Sequence, residues 1–315
     1  MRHSLDLPGD FAAAMASLGP WEDAPRLGVA VSGGPDSMAL ALLADAWARA
    51  RGGGVLGLIV DHGLRAESEA EAATVRERLG GLGIPARVLT AVDLARGPAL
   101  AARARDARYA LLAAACADAG IAHLLLGHHA LDQAETAMAR ALGGSADAGL
   151  AGMAAIRETG GIRLLRPLLG AAKAELVGLL RGRGVAWVDD PSNADPAARR
   201  ARLRAYFADP GGTGPATAAI AEAAREAGLR RAEREARVGA ILAERAAIHP
   251  EGFAVLSPGP IDPDALAALF GMVAGAAYPP PTAAVAELAR GPRPAARPLV
   301  EPDSWRFVAV NGLAK

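Results

Sequence analysis

The chain has 315 residues, and its 34 lysines and arginines are balanced by 34 aspartates and glutamates. A formal charge of zero excludes a nucleic-acid binder that works by bulk positive charge and counterion release, though not one that uses a local arginine patch. Hydrophobic residues make up 52% of the composition, enough for an ordered core, and the length suggests about two domains of roughly 100–200 residues each.

Nearly all the cations are arginine, the only lysines being Lys173 and Lys315, and Cys116 is the single cysteine. One cysteine allows neither an intramolecular disulfide nor a cysteine-based zinc site, which fits a reducing compartment. No apolar run reaches the roughly 18 residues of a membrane span, and the start MRHSLDLPGDF carries charge where a signal peptide needs an apolar stretch. A cytoplasmic protein without a membrane segment is expected.

From Leu27 onward, short β-like apolar runs alternate with longer helical stretches. Strands are predicted over 27–32, 55–60, 86–90, 123–127 and 162–165, with helices near 37–50, 66–82, 99–119 and 130–142. That alternation predicts an α/β fold with a doubly wound, mostly parallel sheet covered by helices on both faces. Ligands bind such sheets beyond the C-terminal ends of the strands. The Gly- and Pro-rich run 209–217 reads as a boundary, 218–247 as one long Arg- and Glu-rich helix, and 252–315 as a small α/β unit with strands around GFAVLS and WRFVAV. Proline crowding at 278–281 marks a further break. The expected organisation is a first domain over 1–208, a linker and long helix over 209–247, and a small C-terminal domain over 248–315.

The first strand runs into VAVSGGPDS, residues 29–37. Ser32, Gly33, Gly34 and Pro35 form a small-residue loop whose backbone can approach an anion, which the N-terminus of the next helix also favours. Ser37 adds a hydroxyl. Asp36 would repel a bare phosphate but suits a magnesium ion bridging phosphate oxygens, so the loop points to a metal-bound polyphosphate. It has neither the GK[ST] of a Walker A loop nor the spacing of a dinucleotide fold. The plain alternative is an ordinary strand-to-helix turn.

Further along, VDHGLRAES (60–68) follows the second strand, and its His62 and Arg65 could face a nucleotide or remain solvated loop residues. Arg103, Arg105 and Arg108 recur at helical spacing and suit phosphate or carboxylate, an exposed charged face being the alternative and, for Arg103, the favoured one. In GHHALDQAET (127–136), Asp132 and Glu135 share one helical face as a two-carboxylate site for an ammonium group or a metal, or serve only as dipole-favoured charges at a helix start. His128 and His129, being adjacent, cannot chelate one ion from one face and read as structural. WVDDPSNADPAARRARLR (187–204) contains turn residues followed by Arg199, Arg200, Arg202 and Arg204; over 199–245 ten arginines face six acids, a modest basic surplus.

SGGPDS resembles the loop of the N-type ATP pyrophosphatases, which cleave ATP between the α and β phosphates and adenylate a carbonyl oxygen. Taken in order and spacing, the five stretches resemble the tRNA(Ile)-lysidine synthetase family over about 20–205. The resemblance implies a cytoplasmic ligase that uses ATP and Mg2+. It would activate the wobble cytidine of tRNA(Ile) with a CAU anticodon, then replace the adenylate with the amine of free L-lysine. It also implies that Asp132 and Glu135 hold lysine and that Arg200 closes on the active site, and with the readings above the expected mechanism has Ser32 to Ser37 on the phosphates, Asp36 on the metal, His62 and Arg65 near the nucleotide and Arg200 at the adenylate. The C-terminal region is expected to contact tRNA, and a homodimer is compatible with the sequence. The sequence departs from the family pattern at Leu131, where an aspartate is usual, at Gly143 to Ala146, which replace RGSG, and at Ala198, which replaces an aromatic. Competing readings are tRNA thiolation, which generally needs catalytic or cluster-binding cysteines, and a tRNA- or nucleotide-binding module that has lost activity.

Overall fold

The computed structural model describes residues 6–61, 63, 68–90, 100–144, 150–159, 161–188, 207–276, 279–289 and 305–307. Contacts divide the chain into two units, Met1–Gly228 and Leu229–Lys315.

In the first unit the strands are β1 (Arg26–Ala30), β2 (Gly54–Asp61), β3 (Ala86–Thr90), β4 (His123–Leu126), β5 (Ile156–Thr159) and β6 (Ile162–Leu165). They form one sheet in the order β3-β2-β1-β4-β6-β5. All neighbours run parallel except the β5–β6 hairpin. The helices are α1 (Leu7–Ser17), α2 (Pro35–Arg49), α3 (Ser68–Gly81), α4 (Leu100–Asp118), α5 (Ala130–Leu142) and α6 (Lys173–Gly182).

The two faces of the sheet follow from the strand period of two. Leu27, Val29 and Val31, with Leu125 and Leu165, enter a core shared with α1, α2, α3 and α6. Ala30, with Leu124, Leu126 and Leu164, enters a second core with Leu112, Ala115 and Cys116 of α4. Strands covered on both faces need continuous apolar runs, which is why LGVA and HLLL are legible as strands. At Gly28 a Cβ would lie 3.1 Å from the Cys116 sulfur of α4.

After β1 the chain builds outward through β2 and β3, then returns to place β4 on the other side of β1. The order therefore reverses between β1 and β4, and a crevice opens beyond their C-terminal ends. SGGPDS leaves β1 into that crevice, and GHHALD leaves β4 into it.

The long helix α7 (Pro215–Arg245) passes from the first unit into the second. The second unit adds β7 (Ala246–His249), β8 (Phe253–Leu256), α8 (Pro263–Ala274), α9 (Thr282–Ala289) and β9 (Trp305–Phe307), with a sheet ordered β7-β8-β9. Its core gathers Leu242, Leu256, Leu266, Leu269, Val273 and Val285. The sequence predicts β8 and β9; α8 and α9 escape it because alanine is so common that it blurs helical periodicity.

Candidate active site

Hydrogen bonds within the loop set its shape. Val31 N donates to Leu58 O at 2.9 Å, carrying the edge of β1 one residue further. Ser32 N then donates to the Ser37 hydroxyl at 3.1 Å, and that hydroxyl donates to Gly34 O at 3.0 Å, so Ser37 braces the turn that opens α2. Gly33 has φ +86°, and a Cβ there would lie 2.4 Å from Val75 Cγ2. Its carbonyl accepts from Val188 N at 2.8 Å. Pro35 occupies the first turn of α2, where its missing N–H costs nothing. The remaining first-turn amides of α2 have no partner inside the helix, an arrangement suited to an anion.

GHHALD meets the loop through backbone contact. A Cβ on Gly127 would come within 3.2 Å of the Asp36 carbonyl and Ser37 Cα, so a larger residue would push the end of β4 away from the start of α2 by a few tenths of an ångström. Two residues on, His129 N donates to Asp132 Oδ2 at 3.1 Å and caps α5. The buried His129 ring has Nε2 3.5 Å from Asp36 Oδ2 and 3.5 Å from Asp132 Oδ2. Burial alone would lower its pKa, but the hydrogen bond to Asp36 and the charges of Asp132 and Asp36 outweigh burial and raise it above the ordinary value. Asp36 Oδ1 is buried with no hydrogen-bond partner. The two adjacent rings have different surroundings: His128 lines the cleft, and His129 lies between two carboxylates.

Asp132 and Glu135 are both buried, at 8% and 1% exposure, on the first two turns of α5. Gln133, between them, ties α5 to the segment before β5: its amide donates to Met153 O at 3.1 Å and accepts from Met153 N at 2.7 Å. Leu131 is buried too, and a Cβ on Gly212 would touch its Cβ at 3.4 Å, so the departure from the family aspartate faces packing.

A cleft of about 500 Å³ lies at this crevice, with Ser32, Gly34, Pro35, Asp36 and Ser37 in its wall. Asp132 and Glu135 are not among its lining residues. Arg108, Lys173 and Arg181 bring positive charge to the wall, and Trp187 and Val188 close it beside the loop. Lys173, Val177 and Arg181 stand four residues apart on α6, hence in one stripe. That spacing was the one signal in the sequence that could have marked α6 as part of the site. Of the other predicted arginines, Arg103 is exposed, and Arg105 lies 5.2 Å over the Tyr109 ring. His62, Arg65 and Arg200 lie outside the described residues, as do Ser145, Ala146 and Ala198. Among the described residues no group of three or more His, Cys, Asp or Glu is placed to hold a metal ion. A metal here would need oxygens from its ligand in addition to Asp36.

Residues 10–209 match the PP-loop domain family. Curated relatives include the tRNA(Ile)-lysidine synthase of Bradyrhizobium sp. (strain BTAi1), 46% identical over 203 residues covering 64% of this chain and 57% of that protein. The protein of the same name from Ruegeria pomeroyi is 40% identical over 276 residues, 83% of this chain and 64% of that one. The chain thus spans roughly six-tenths of the length of these relatives. Among solved structures, the U34-tRNA thiolase NcsA from Methanococcus maripaludis with its 4Fe-4S cluster matches with a TM-score of 0.57 at 15% identity, over 71% of this chain and 79% of that one. At that identity the likeness is one of fold.

Proposed function

The chain belongs to the PP-loop domain family, and from that premise we propose that it catalyses the reaction of a tRNA(Ile)-lysidine synthase. The observation that carries the reading is the meeting of the two motifs on one imidazole: Asp36 of SGGPDS and Asp132 of GHHALD each lie 3.5 Å from His129 Nε2. A phosphate site and a carboxylate site are thereby held together at the switch point of the sheet. In the proposed reaction, the C2 carbonyl oxygen of the wobble cytidine attacks the α phosphorus of ATP, and the bond to the β phosphate breaks. The amine of lysine then attacks C2, AMP leaves, and the amine gives up a proton.

The amides opening α2 bind the phosphates, with Ser32, Gly33, Gly34, Pro35 and Ser37 shaping the loop. Asp36 is the residue we assign to Mg2+; its buried, unpartnered Oδ1 leaves a hard oxygen for such an ion. Magnesium, when bound, would neutralise phosphate charge. We assign the lysine ammonium to Asp132 and Glu135, the nucleotide to His62 and Arg65, and the adenylate to Arg200. Fixed charges and dipoles of this kind supply rate by electrostatic positioning, without a covalent enzyme intermediate.

The further expectations from the sequence belong to the same proposal. They are catalysis over 1–208, a linker and long helix over 209–247, tRNA contact over 248–315, a cytoplasmic setting and a homodimer. No helix among the described residues is long and apolar enough to cross a membrane. Light scattering on the purified protein tests the dimer.

The test of function incubates the protein with ATP, Mg2+, lysine and an unmodified CAU-anticodon tRNA and follows AMP and pyrophosphate. The reading expects AMP release that needs this tRNA. Release that ignores the identity of the tRNA and amino acid would refute it, and tRNA binding with no AMP would favour a non-catalytic module. The fold of the thiolase gives thiolation a hearing, but Cys116, the chain's only cysteine, is fully buried and burial pushes its pKa up to about 11. A thiol so placed is neither a nucleophile nor a cluster ligand. Replacing Cys116 with alanine is expected to leave AMP formation undiminished.

A further inference from the structure

One group of cations on the first unit has no part in the assignments above. The β5–β6 hairpin sets Arg157 opposite Leu164, and the ladder continues to Arg166, whose N donates to Ala155 O at 2.9 Å. With a strand period of two, Arg157 and Arg166 are diagonal neighbours on the face that Leu164 turns towards α4. Tyr109 of α4 packs against that same core and accepts a hydrogen bond from Arg166, while Arg105, one turn earlier, lies 5.2 Å over the Tyr109 ring. Glu158, the acid next along β5, stands opposite Arg163 on the other face. Among the described residues no carboxylate pairs with Arg105, Arg157 or Arg166.

Arg166 is 6% exposed, its Nη1 donates to Ala154 O at 2.6 Å, and its buried Nε has no partner. Burial pulls its pKa below the ordinary value and the charges of Arg105 and Arg157 add to that, with Tyr109 opposing them. A buried charge is costly unless an opposite charge compensates it, and here the neighbouring charges are cations. Such a group asks for an anion from outside. Arg105 and Arg157 are exposed, so that anion arrives from solvent. The guanidinium fork matches the two free oxygens of a phosphodiester.

We propose that Arg105, Arg157 and Arg166 form a binding site for phosphodiesters of the RNA backbone beside the base that enters the cleft. The proposal rests on the tRNA-modifying reading of the site. Arg166 follows the C-terminal end of β6, the end of the parallel sheet at which SGGPDS and GHHALD also leave their strands, and Arg108, adjacent to Tyr109, stands in the cleft wall. A wobble cytidine whose C2 oxygen reaches the nucleotide carries a phosphodiester on each side of its ribose, and the backbone must run on past the mouth of the cleft. ATP has the amides of α2 for its phosphates. Three guanidiniums along an open face suit successive phosphodiesters better than the single carboxylate of an amino acid.

The test measures retention of an unmodified CAU-anticodon tRNA on filters over a range of salt, for the full chain and for Arg105→Gln, Arg157→Gln and Arg166→Gln, with calorimetry of ATP and of lysine on the same proteins. Arg166→Gln is expected to weaken tRNA binding by about tenfold, and each variant to make the log–log salt slope shallower by about one. Affinity for ATP and for lysine should stay unchanged. A tRNA with a neutral methylphosphonate on one side of the wobble cytidine should bind the wild-type protein more weakly, and Arg166→Gln should lose nothing further with it. Wild-type tRNA affinity and slope in Arg157→Gln and Arg166→Gln overturn the proposal. So does an equal loss of ATP or lysine binding, which would give the group to one of those ligands. If Arg166→Gln fails to fold, the variants of the exposed Arg105 and Arg157 still decide the matter. A wild-type protein that binds no tRNA would instead remove the tRNA-modifying reading itself.

Discussion

Gly33 carries two demands at once: a φ of +86° and a neighbour, Val75, whose methyl group would lie 2.4 Å from any Cβ. Val75 is itself buried, so its side chain could make way only by shifting within the core. Gly33→Ala is therefore expected to lower stability by about 1–3 kcal/mol, read by urea unfolding, and to weaken ATP binding as the loop deforms. Unfolding at the wild-type midpoint would show that the turn has more freedom than this geometry allows. Asp36 is a sharper case, because its substitution by asparagine preserves size and removes charge. AMP formation should fall by about a hundredfold or more, without rescue by added Mg2+ and without loss of fold. Retained turnover would mean that the metal is held elsewhere. SGGPDS was readable in the sequence because its chemistry is local. The role of His129 was not, since what matters is a carboxylate some ninety residues earlier in the chain, brought near only when β1 and β4 become neighbours.

At the level of elements, legibility followed burial. The central parallel strands are apolar on both faces and stand out, whereas β5 is an edge strand that exposes Arg157 and Glu158 and offers no pattern to read. The start of α7 is secured by one residue ahead of it. Asp209 accepts from Thr213 N at 3.1 Å, Gly214 N at 2.8 Å and the Thr217 hydroxyl at 2.6 Å. Burial would raise the Asp209 carboxyl, but the hydrogen bonds from Thr217, Gly214, Thr213 and Gly212 win and hold it below its ordinary value of 3.8. A carboxyl lowered on folding stabilises fully above its unfolded pKa, and that contribution is lost as the pH falls through the folded value. Asp209→Ala should cost about 1–2 kcal/mol at neutral pH, and the gap between the two proteins should close in acid. A gap that persists unchanged at low pH would mean the carboxylate charge is irrelevant.

Across the whole molecule, the zero net charge conceals an internal balance. The arginine surplus counted over 199–245 comes from Arg199, Arg200, Arg202 and Arg204, which lie outside the described residues; from 207 to 245 six arginines meet six acids. Along α7, Arg225 pairs with Glu222, Arg231 with Glu235, and Arg234 and Arg237 with Asp264 and Asp262, while Arg245 donates to backbone carbonyls. Those partners leave the helix less charge for RNA than its composition suggests. Binding of tRNA should accordingly show a shallow salt dependence, a log–log slope of about −3. A slope near −8, of the order expected for many phosphate contacts, would place far more free cation on the RNA than these pairs allow.

The central claim is that a PP-loop site here joins free lysine to the wobble cytidine of a CAU anticodon. The most direct measurement incubates the protein with ATP, Mg2+ and radiolabelled lysine, and compares tRNA(Ile) carrying CAU with the same tRNA carrying UAU. The account predicts acid-stable label in the CAU tRNA alone, accompanied by one AMP for each lysine retained. Label in both tRNAs, or AMP without retained label, would contradict it.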